Sequence, residues 1–432
     1  MIVEKALTEF LKYKYSKLLS FDMLGSVAAP AAKQDRPYLL YAHVPFCEEL
    51  CPYCSFNRFP LDRDLAREYF NALTAEIRMY KDLGFEFTAA YIGGGTPTVL
   101  PRQLGDLLNF LRKSFPIAEV SVETNPNHLN AEVIGILKDS GVNRLSVGVQ
   151  SFDDGLLRQM ERYHKYGSGE EIRSKLQRLM GTFDTLNVDM IFNFPSQSLA
   201  ALETDVRIIQ DIEADQVTFY PLMVSDMTRK ELATRFGAIR YQQEKVFYER
   251  IVEMLQGSYN FGTSWCFSRK NTMIDEYIVD YDDYVGVGSG SFGYVNGACY
   301  ANTFSVPEYL EHIAAGVLPL LARKDFSLTE QIQYHFMMKL FGESLDIARA
   351  EAKYDGMFMK SLRKEVALFK VLSALERQNG SLRLTRRGRY FWVIMMREFF
   401  TGVNNFRDLC RNGIKRSDTA VLSKRAVKPI ND

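Results

Sequence analysis

The chain has 432 residues, with 53 basic and 53 acidic side chains and no net charge. A chain this long buries a full-sized core and a smaller second unit, and its balanced charge argues against a surface built for nucleic acid or anionic lipid. No apolar run reaches the ~20 residues that cross a bilayer; six cysteines in such a length are no disulfide framework, so a reducing, cytoplasmic setting is expected.

Residues 1–35 read as an N-terminal helical extension. Lys5, Lys12, Lys14 and Lys17 interleave with Glu4 and Glu9, the pattern of an amphipathic helix on the body of the protein rather than of a signal peptide. From residue 38 the periodicity alternates. Strands are expected over residues 38–44, 87–92, 119–123, 143–149, 186–192 and 216–219. Helices are expected over 61–83, over 101–115 with Pro101 at its first turn, over 131–140 ended by Gly141, and over 169–180 and 199–212. This βα repetition predicts an α/β fold with parallel strands and crossover helices, in an open or closed barrel. From about residue 325 the chain is mainly helical. Gly380-Ser381-Leu382-Arg383-Leu384-Thr385 and Gly388 suggest a small hairpin there, hence a winged-helix-like appendage. The expected division is 1–35, a barrel with its closing segment over 36–322, and a mainly helical unit over 323–432.

Cys47, Cys51 and Cys54 share one short loop with CxxxCxxC spacing. Three thiolates this close can hold three irons of a cubic 4Fe–4S cluster and leave the fourth open to a small molecule. A structural zinc site wants four ligands, usually as two pairs, and the sequence has no second CxxC. Cys266, Cys299 and Cys410 are scattered, in the manner of small packed residues.

In parallel βα folds ligands gather at the carboxyl ends of the strands. Gly93-Gly94-Gly95-Thr96-Pro97 follows one strand, where glycines let a ligand approach the backbone; the run lacks the lysine of a P-loop. Glu123 and Gln150 end the next two strands and Asp189 lies in the following one. Polar groups at such positions need a partner or a ligand.

The sequence resembles the radical S-adenosylmethionine (SAM) family of oxygen-independent coproporphyrinogen III dehydrogenase, with its haem-chaperone and anaerobic haem-utilisation relatives. The likeness rests on Tyr41-Ala42-His43-Val44-Pro45-Phe46 with the cysteine loop, Tyr91-Ile92-Gly93-Gly94-Gly95-Thr96-Pro97-Thr98, Val122-Glu123-Thr124-Asn125-Pro126, Ser146-Val147-Gly148-Val149-Gln150-Ser151-Phe152 and Val188-Asp189-Met190-Ile191-Phe192-Asn193-Phe194-Pro195. It implies a partial TIM-like barrel with a helical C-terminal domain. It also implies a 4Fe–4S cluster on Cys47, Cys51 and Cys54, one or two molecules of SAM, a tetrapyrrole substrate and a flavodoxin- or ferredoxin-type electron donor. SAM would be cleaved to methionine and a 5′-deoxyadenosyl radical. By position, Gly94, Gly95 and Thr96 would hold the amino-acid end of SAM; Glu123, Gln150, Arg162 and Asp189 would meet its carboxylate, ribose and other polar groups. Tyr41, Tyr53 and Phe56 would surround the cofactors, and His43 would lie near the cluster as a loop anchor or a proton carrier.

Departures from the pattern matter. The dehydrogenase has a further cysteine two residues after the third ligand, where this chain has Phe56. The chaperone branch has a His-Asn-x-x-Tyr run, and residues 263–277 contain no histidine. Residues 263–270 and 286–293 are candidates for a second SAM site or substrate pocket. Trp265, Cys266, Phe267 and Gly288 belong to them, with Phe292 and Tyr294 as further walls and Arg269 and Lys270 as partners of propionates. The leading expectation is an oxidoreductase performing oxidative decarboxylation of a porphyrinogen side chain. The alternatives are radical methylation with opening of the haem ring and, from another class, a haem carrier. A nucleic-acid partner is not expected.

Overall fold

The computed structural model describes residues 2–21, 30–33, 36–270 and 277–412. Its largest element is a 12-stranded sheet. At its centre Tyr284–Val287, Tyr38–Val44, Phe87–Gly94, Glu119–Thr124, Arg144–Gln150, Thr185–Phe192 and Gln216–Pro221 lie side by side and parallel. These strands are almost wholly buried, as parallel strands covered on both faces are. Cys266–Ser268 and Asn260–Phe261 extend one flank antiparallel. Phe292–Val295, Ala298–Asn302 and Leu320–Asp325 extend the other. The described sheet therefore ends in two edges and is open: a partial (β/α) barrel.

The crossover helices start where short polar side chains satisfy free backbone donors. Asp62 caps Arg63–Asp82, Ser198 caps Leu199–Asp211, and Ser168 forms a full capping box on Gly169–Leu179. Between residues 221 and 259 two helices that the periodicity had not marked, Asp226–Phe236 and Tyr241–Leu255, complete this layer.

Towards the C-terminus, Ser344–Asp346, Ser381–Leu384 and Leu375–Gln378 form a small antiparallel sheet, in the winged-helix-like manner. Its hairpin turns on Asn379 and Gly380, at φ 49° and 80°, the left-handed pair a two-residue turn needs. The last helix, Arg386–Asn412, links three regions. Trp392 packs on Phe336 and Phe369 near the small sheet. Phe399 meets Tyr15 of the N-terminal helix Ile2–Leu18 edge-on at 5.6 Å. Phe406 reaches Phe292 and Phe304 beside the large sheet. Halfway along, Arg397 is buried against Glu244 and Glu398 and donates to Thr8.

Candidate active site

All seven parallel strands finish on the same edge, and the cysteine loop follows directly from Val44. Two cations fasten that loop. Arg58 donates to the carbonyls of Cys51 and Cys54 at 2.5 and 2.7 Å, and Lys165 donates to that of Leu50 at 2.9 Å. Arg162 is buried and directs one terminal nitrogen to the Cys51 sulfur at 3.5 Å and to the Tyr53 hydroxyl at 3.3 Å; the other donates to the Gly148 carbonyl. Thr96 donates to the Cys47 sulfur at 3.7 Å. Burial, and behind it the nearby thiols of Cys54 and Cys51, push the Cys47 thiol up to about 12. Its thiolate therefore calls for strong positive charge, as a metal centre supplies. Among the described residues no three such side chains group as ligands of a single ion. A cubic cluster presents its irons at separate corners, one to each thiolate.

Beside the loop, Gly93–Gly95 let the backbone lie close against its neighbours, and a Cβ on Gly95 would meet the Phe46 carbonyl oxygen at 2.7 Å. A Cβ on Gly94, at φ +120°, would meet the His43 ring at 2.8 Å, and one on Gly95 would stand 3.0 Å from the Cys47 sulfur. Glu123 accepts from the Gly94 amide and from the Tyr91 hydroxyl, each at 3.0 Å. His43 is held at both ring nitrogens, by the Tyr41 hydroxyl at 2.9 Å and the Asn57 carbonyl at 2.8 Å. Burial holds its pKa down to about 4, so it is neutral at ordinary pH. Such a ring anchors the loop well and carries protons poorly.

Asp189 accepts from Ser146 and Asn187, both at 2.8 Å, and stays half-buried. Gln150, at φ 79°, breaks the register between its strand and the next, which turns its side chain across Gly148. Tyr41 stands tilted 6.0 Å from Tyr91. Phe56 is 45% exposed.

The structure separates the second group of sequence candidates. Cys266–Ser268 runs antiparallel to Gln216–Pro221, so Arg269 and Lys270 sit at the opposite end of the sheet from the cysteine loop. There they pair with Glu213 at 3.3 Å and Asp215 at 2.7 Å. The expected pairing with propionates at the mouth is thus corrected by strand direction. Trp265 lies at the mouth end but is fully buried against Phe341 and Phe400. Cys266 and Phe267 are buried in the core, and Tyr294 pairs with Tyr284 at the far end. Residues 271–276 lie outside the described residues. Gly288 does reach the mouth, but a Cβ there would meet the His43 carbonyl at 2.5 Å and the Tyr69 hydroxyl at 2.6 Å, so its α-carbon is closed to a ligand.

Sequence reasoning missed Arg58 and Lys165. Arg58 follows the cysteine loop closely enough for position to have suggested it; Lys165 carries no such signal. It also missed Arg407, which the last helix brings over the rings of Phe56 and Phe292, at 5.0 and 5.5 Å from their centroids.

Comparison with known proteins decides the class. Residues 41–209 match the Radical SAM superfamily. The heme chaperone HemW of Bacillus subtilis is 31% identical over 316 residues, 69% of this chain and 82% of that protein. The chain belongs to the radical SAM family of HemW and oxygen-independent coproporphyrinogen III oxidase. The anaerobilin synthase of Escherichia coli is 29% identical over 319 residues, 69% of each chain. In fold, this radical SAM protein is similar to the coproporphyrinogen III oxidase HemN from Escherichia coli, with TM-score 0.72 at 22% identity over 88% of this chain and 95% of the other. The cofactors of the family are a 4Fe–4S cluster and SAM, and the loop of this radical SAM protein fits the cluster. It offers three thiols in a loop fastened by cations, the donor set such a core takes.

Proposed function

We propose that this radical SAM protein is an enzyme acting on a tetrapyrrole, and that its leading reaction is oxidative decarboxylation of a porphyrinogen side chain. One observation carries the reading. Three cysteines, a glycine cradle and the polar side chains Glu123, Gln150 and Asp189 converge on one edge of an open sheet, in a chain whose relatives are tetrapyrrole proteins. Cys47, Cys51 and Cys54 hold the cluster. Gly94, Gly95 and Thr96 take the amino-acid end of SAM, and Glu123, Gln150 and Asp189 take its polar groups. Bound there, the cofactors supply radical hydrogen-abstraction chemistry. The protein orients the reacting carbon and keeps water out. Arg162 lies against Cys51 and Tyr53 with its Nε buried and unbonded, so its role is shared between the cluster and a ligand carboxylate. A flavodoxin- or ferredoxin-type donor in a reducing cytoplasm supplies the electron.

Phe56, in place of the dehydrogenase's further cysteine, favours a second reading: methylation with opening of the haem ring. Anaerobic turnover of the cluster-loaded protein with SAM, coproporphyrinogen III or haem, followed by mass spectrometry, separates the readings. Loss of carbon dioxide supports the first, and a methylated, ring-opened product the second. Tight stoichiometric haem binding without release of 5′-deoxyadenosine would replace both with a carrier.

A further inference from the structure

The three loop cysteines sit in unequal surroundings. The Cys47 sulfur accepts from the Thr96 hydroxyl at 3.7 Å. Cys54 is held through its carbonyl, by Arg58 at 2.7 Å. The Cys51 sulfur faces two cations: Arg162 directs a terminal nitrogen to it at 3.5 Å, and the Lys165 ammonium stands 3.9 Å away. Both come from one short stretch. Arg162 precedes the four-residue helix Tyr163–Tyr166 and Lys165 lies within it, so the helical spacing turns them to the same side.

Both cations are buried. Arg162 is 5% exposed and the Lys165 side chain 7%. A buried charge is costly unless an opposite charge meets it. The Arg162 guanidinium meets the Gly148 carbonyl, the Tyr53 hydroxyl, the Tyr166 ring at 4.4 Å and the Cys51 sulfur, and none of these is a carboxylate. Lys165 donates to the Leu50 carbonyl at 2.9 Å. Its carboxylate neighbour, Glu49 at 3.8 Å, is 65% exposed, so water screens that pair. The anion that the two buried cations share is therefore Cys51 as a thiolate, the form that binds iron.

We propose that Lys165, alongside Arg162, raises the reduction potential of the cluster by acting on the Cys51 thiolate. This makes Lys165 a positioning residue, since its contact is with a cluster ligand. The proposal rests on the assignment of Cys47, Cys51 and Cys54 as the ligands and is independent of the tetrapyrrole reading. A four-iron core on three thiolates carries net negative charge, and reduction adds an electron to it. Positive charge beside a sulfur stabilises the reduced form more than the oxidised form, so the potential rises. Thr96 supplies only a neutral donor to Cys47, and charge-assisted donors are roughly twice as strong. Arg162 is shared with a ligand carboxylate in the reading above. The Lys165 ammonium contacts Glu49, Leu50 and Cys51, all in the cysteine loop, so a titration without SAM isolates its effect.

The test is a redox titration of cluster-loaded full-length protein under anaerobic conditions, read by the paramagnetic signal of the reduced cluster. Lys165→Gln should lower the reduced-to-oxidised ratio at a fixed potential roughly tenfold, a fall of about 59 mV for a one-electron couple. Lys165→Arg keeps the charge and should stay within about twofold of wild type. A Lys165→Gln potential equal to wild type overturns the proposal. Equal shifts in the two variants also overturn it, because loop geometry rather than charge would then be responsible. If wild type takes up no four-iron cluster, the ligand assignment fails and the proposal with it; a loaded wild type keeps the two failures apart. Should Lys165→Gln fail to load, Glu49→Gln decides. It removes the carboxylate beside the ammonium, and at low ionic strength it should raise the reduced-to-oxidised ratio about twofold or more. No rise overturns the proposal.

Discussion

Two glycine-rich segments press on His43 from opposite sides and are used in opposite ways. At Gly93–Gly95 the missing side chains let the backbone lie against the imidazole, the Glu123 carboxylate and the Cys47 sulfur, and the polar groups around it belong to the mouth: Glu123, Thr96 and Tyr91. At Gly286–Gly290 the backbone is tied inward. The Gly288 amide donates to Glu76 at 2.7 Å, the Ser289 amide donates to Tyr69 at 2.7 Å, and Asn57 donates to the Ser289 carbonyl at 3.2 Å. Tyr69 then donates to the His43 carbonyl at 2.8 Å. Glycine spacing alone does not separate a ligand cradle from a closing joint. The destination of the neighbouring hydrogen bonds does.

The largest effect should fall on the open side. Cys47→Ala, Cys51→Ala or Cys54→Ala should each abolish the four-iron cluster, read as loss of iron, sulfide and the broad visible absorption. Cys266→Ala, Cys299→Ala and Cys410→Ala should keep it; loss in any of these three would remove the open-iron argument.

On the closed side, Gly288→Ala combines a left-handed backbone, φ +91°, with a collision against the backbone oxygen of His43. The expected cost is about 2–5 kcal/mol, from left-handed strain and overpacking together, seen as a large fall in melting temperature even without cofactors. Gly94→Ala is also strained, at φ +120°, but meets an imidazole ring rather than a backbone oxygen; it should cost less stability than Gly288→Ala and reduce SAM affinity as well. Equal melting of Gly288→Ala and wild type would erase the contrast between the two segments.

Glu123→Ala, Gln150→Ala and Asp189→Ala should weaken SAM binding by roughly five- to hundredfold, the cost of an unpaired partner in a dry site, with the cluster spectrum intact. Glu161→Ala is the control, since that carboxylate is exposed and paired with Arg235. Arg162→Ala should change both readouts, because its guanidinium touches Cys51. A spectrum unmoved in Arg162→Ala would return that residue to SAM alone.

What the sequence made legible follows the range of the contacts. The cysteine loop, Gly93–Gly95 and the strand-end residues are set by short spacings and by strands that pair with near neighbours, so βα periodicity places them on one edge. Arg269 and Lys270 were misread because strand direction decides which end they occupy: Cys266–Ser268 runs against its neighbour, and no spacing rule carries that sign. Arg407 was invisible for a different reason. It reaches Phe56 from 351 positions away along the chain (407 − 56), and only the path of the last helix brings the two together.

The smallest predicted effect probes how the closed side is held. Glu76 is fully buried on the helix Arg63–Asp82 and accepts from the Gly288 amide, the Tyr309 hydroxyl and the Asn302 amide at 2.7–2.8 Å. Burial raises its pKa from the ordinary 4.5 to about 7, against the pull of those hydrogen bonds. The folded state therefore holds this proton more tightly than the unfolded chain. The associated stability is complete below about 4.5 and is lost as pH rises through about 7. Wild type should accordingly melt lower near pH 8 than near pH 5, with a contribution from Glu76 on the order of 1–3 kcal/mol. Glu76→Gln cannot ionise. It keeps one acceptor and turns an N–H towards a donor, so it should lose stability near pH 5 while showing a shallower fall towards pH 8. Asp205 and Glu343, also pushed up to about 7 by burial, keep part of the slope in place. Melting curves across this range decide the matter: a Glu76→Gln slope as steep as wild type would mean that the proton is held elsewhere and that the Gly288 joint is insensitive to pH.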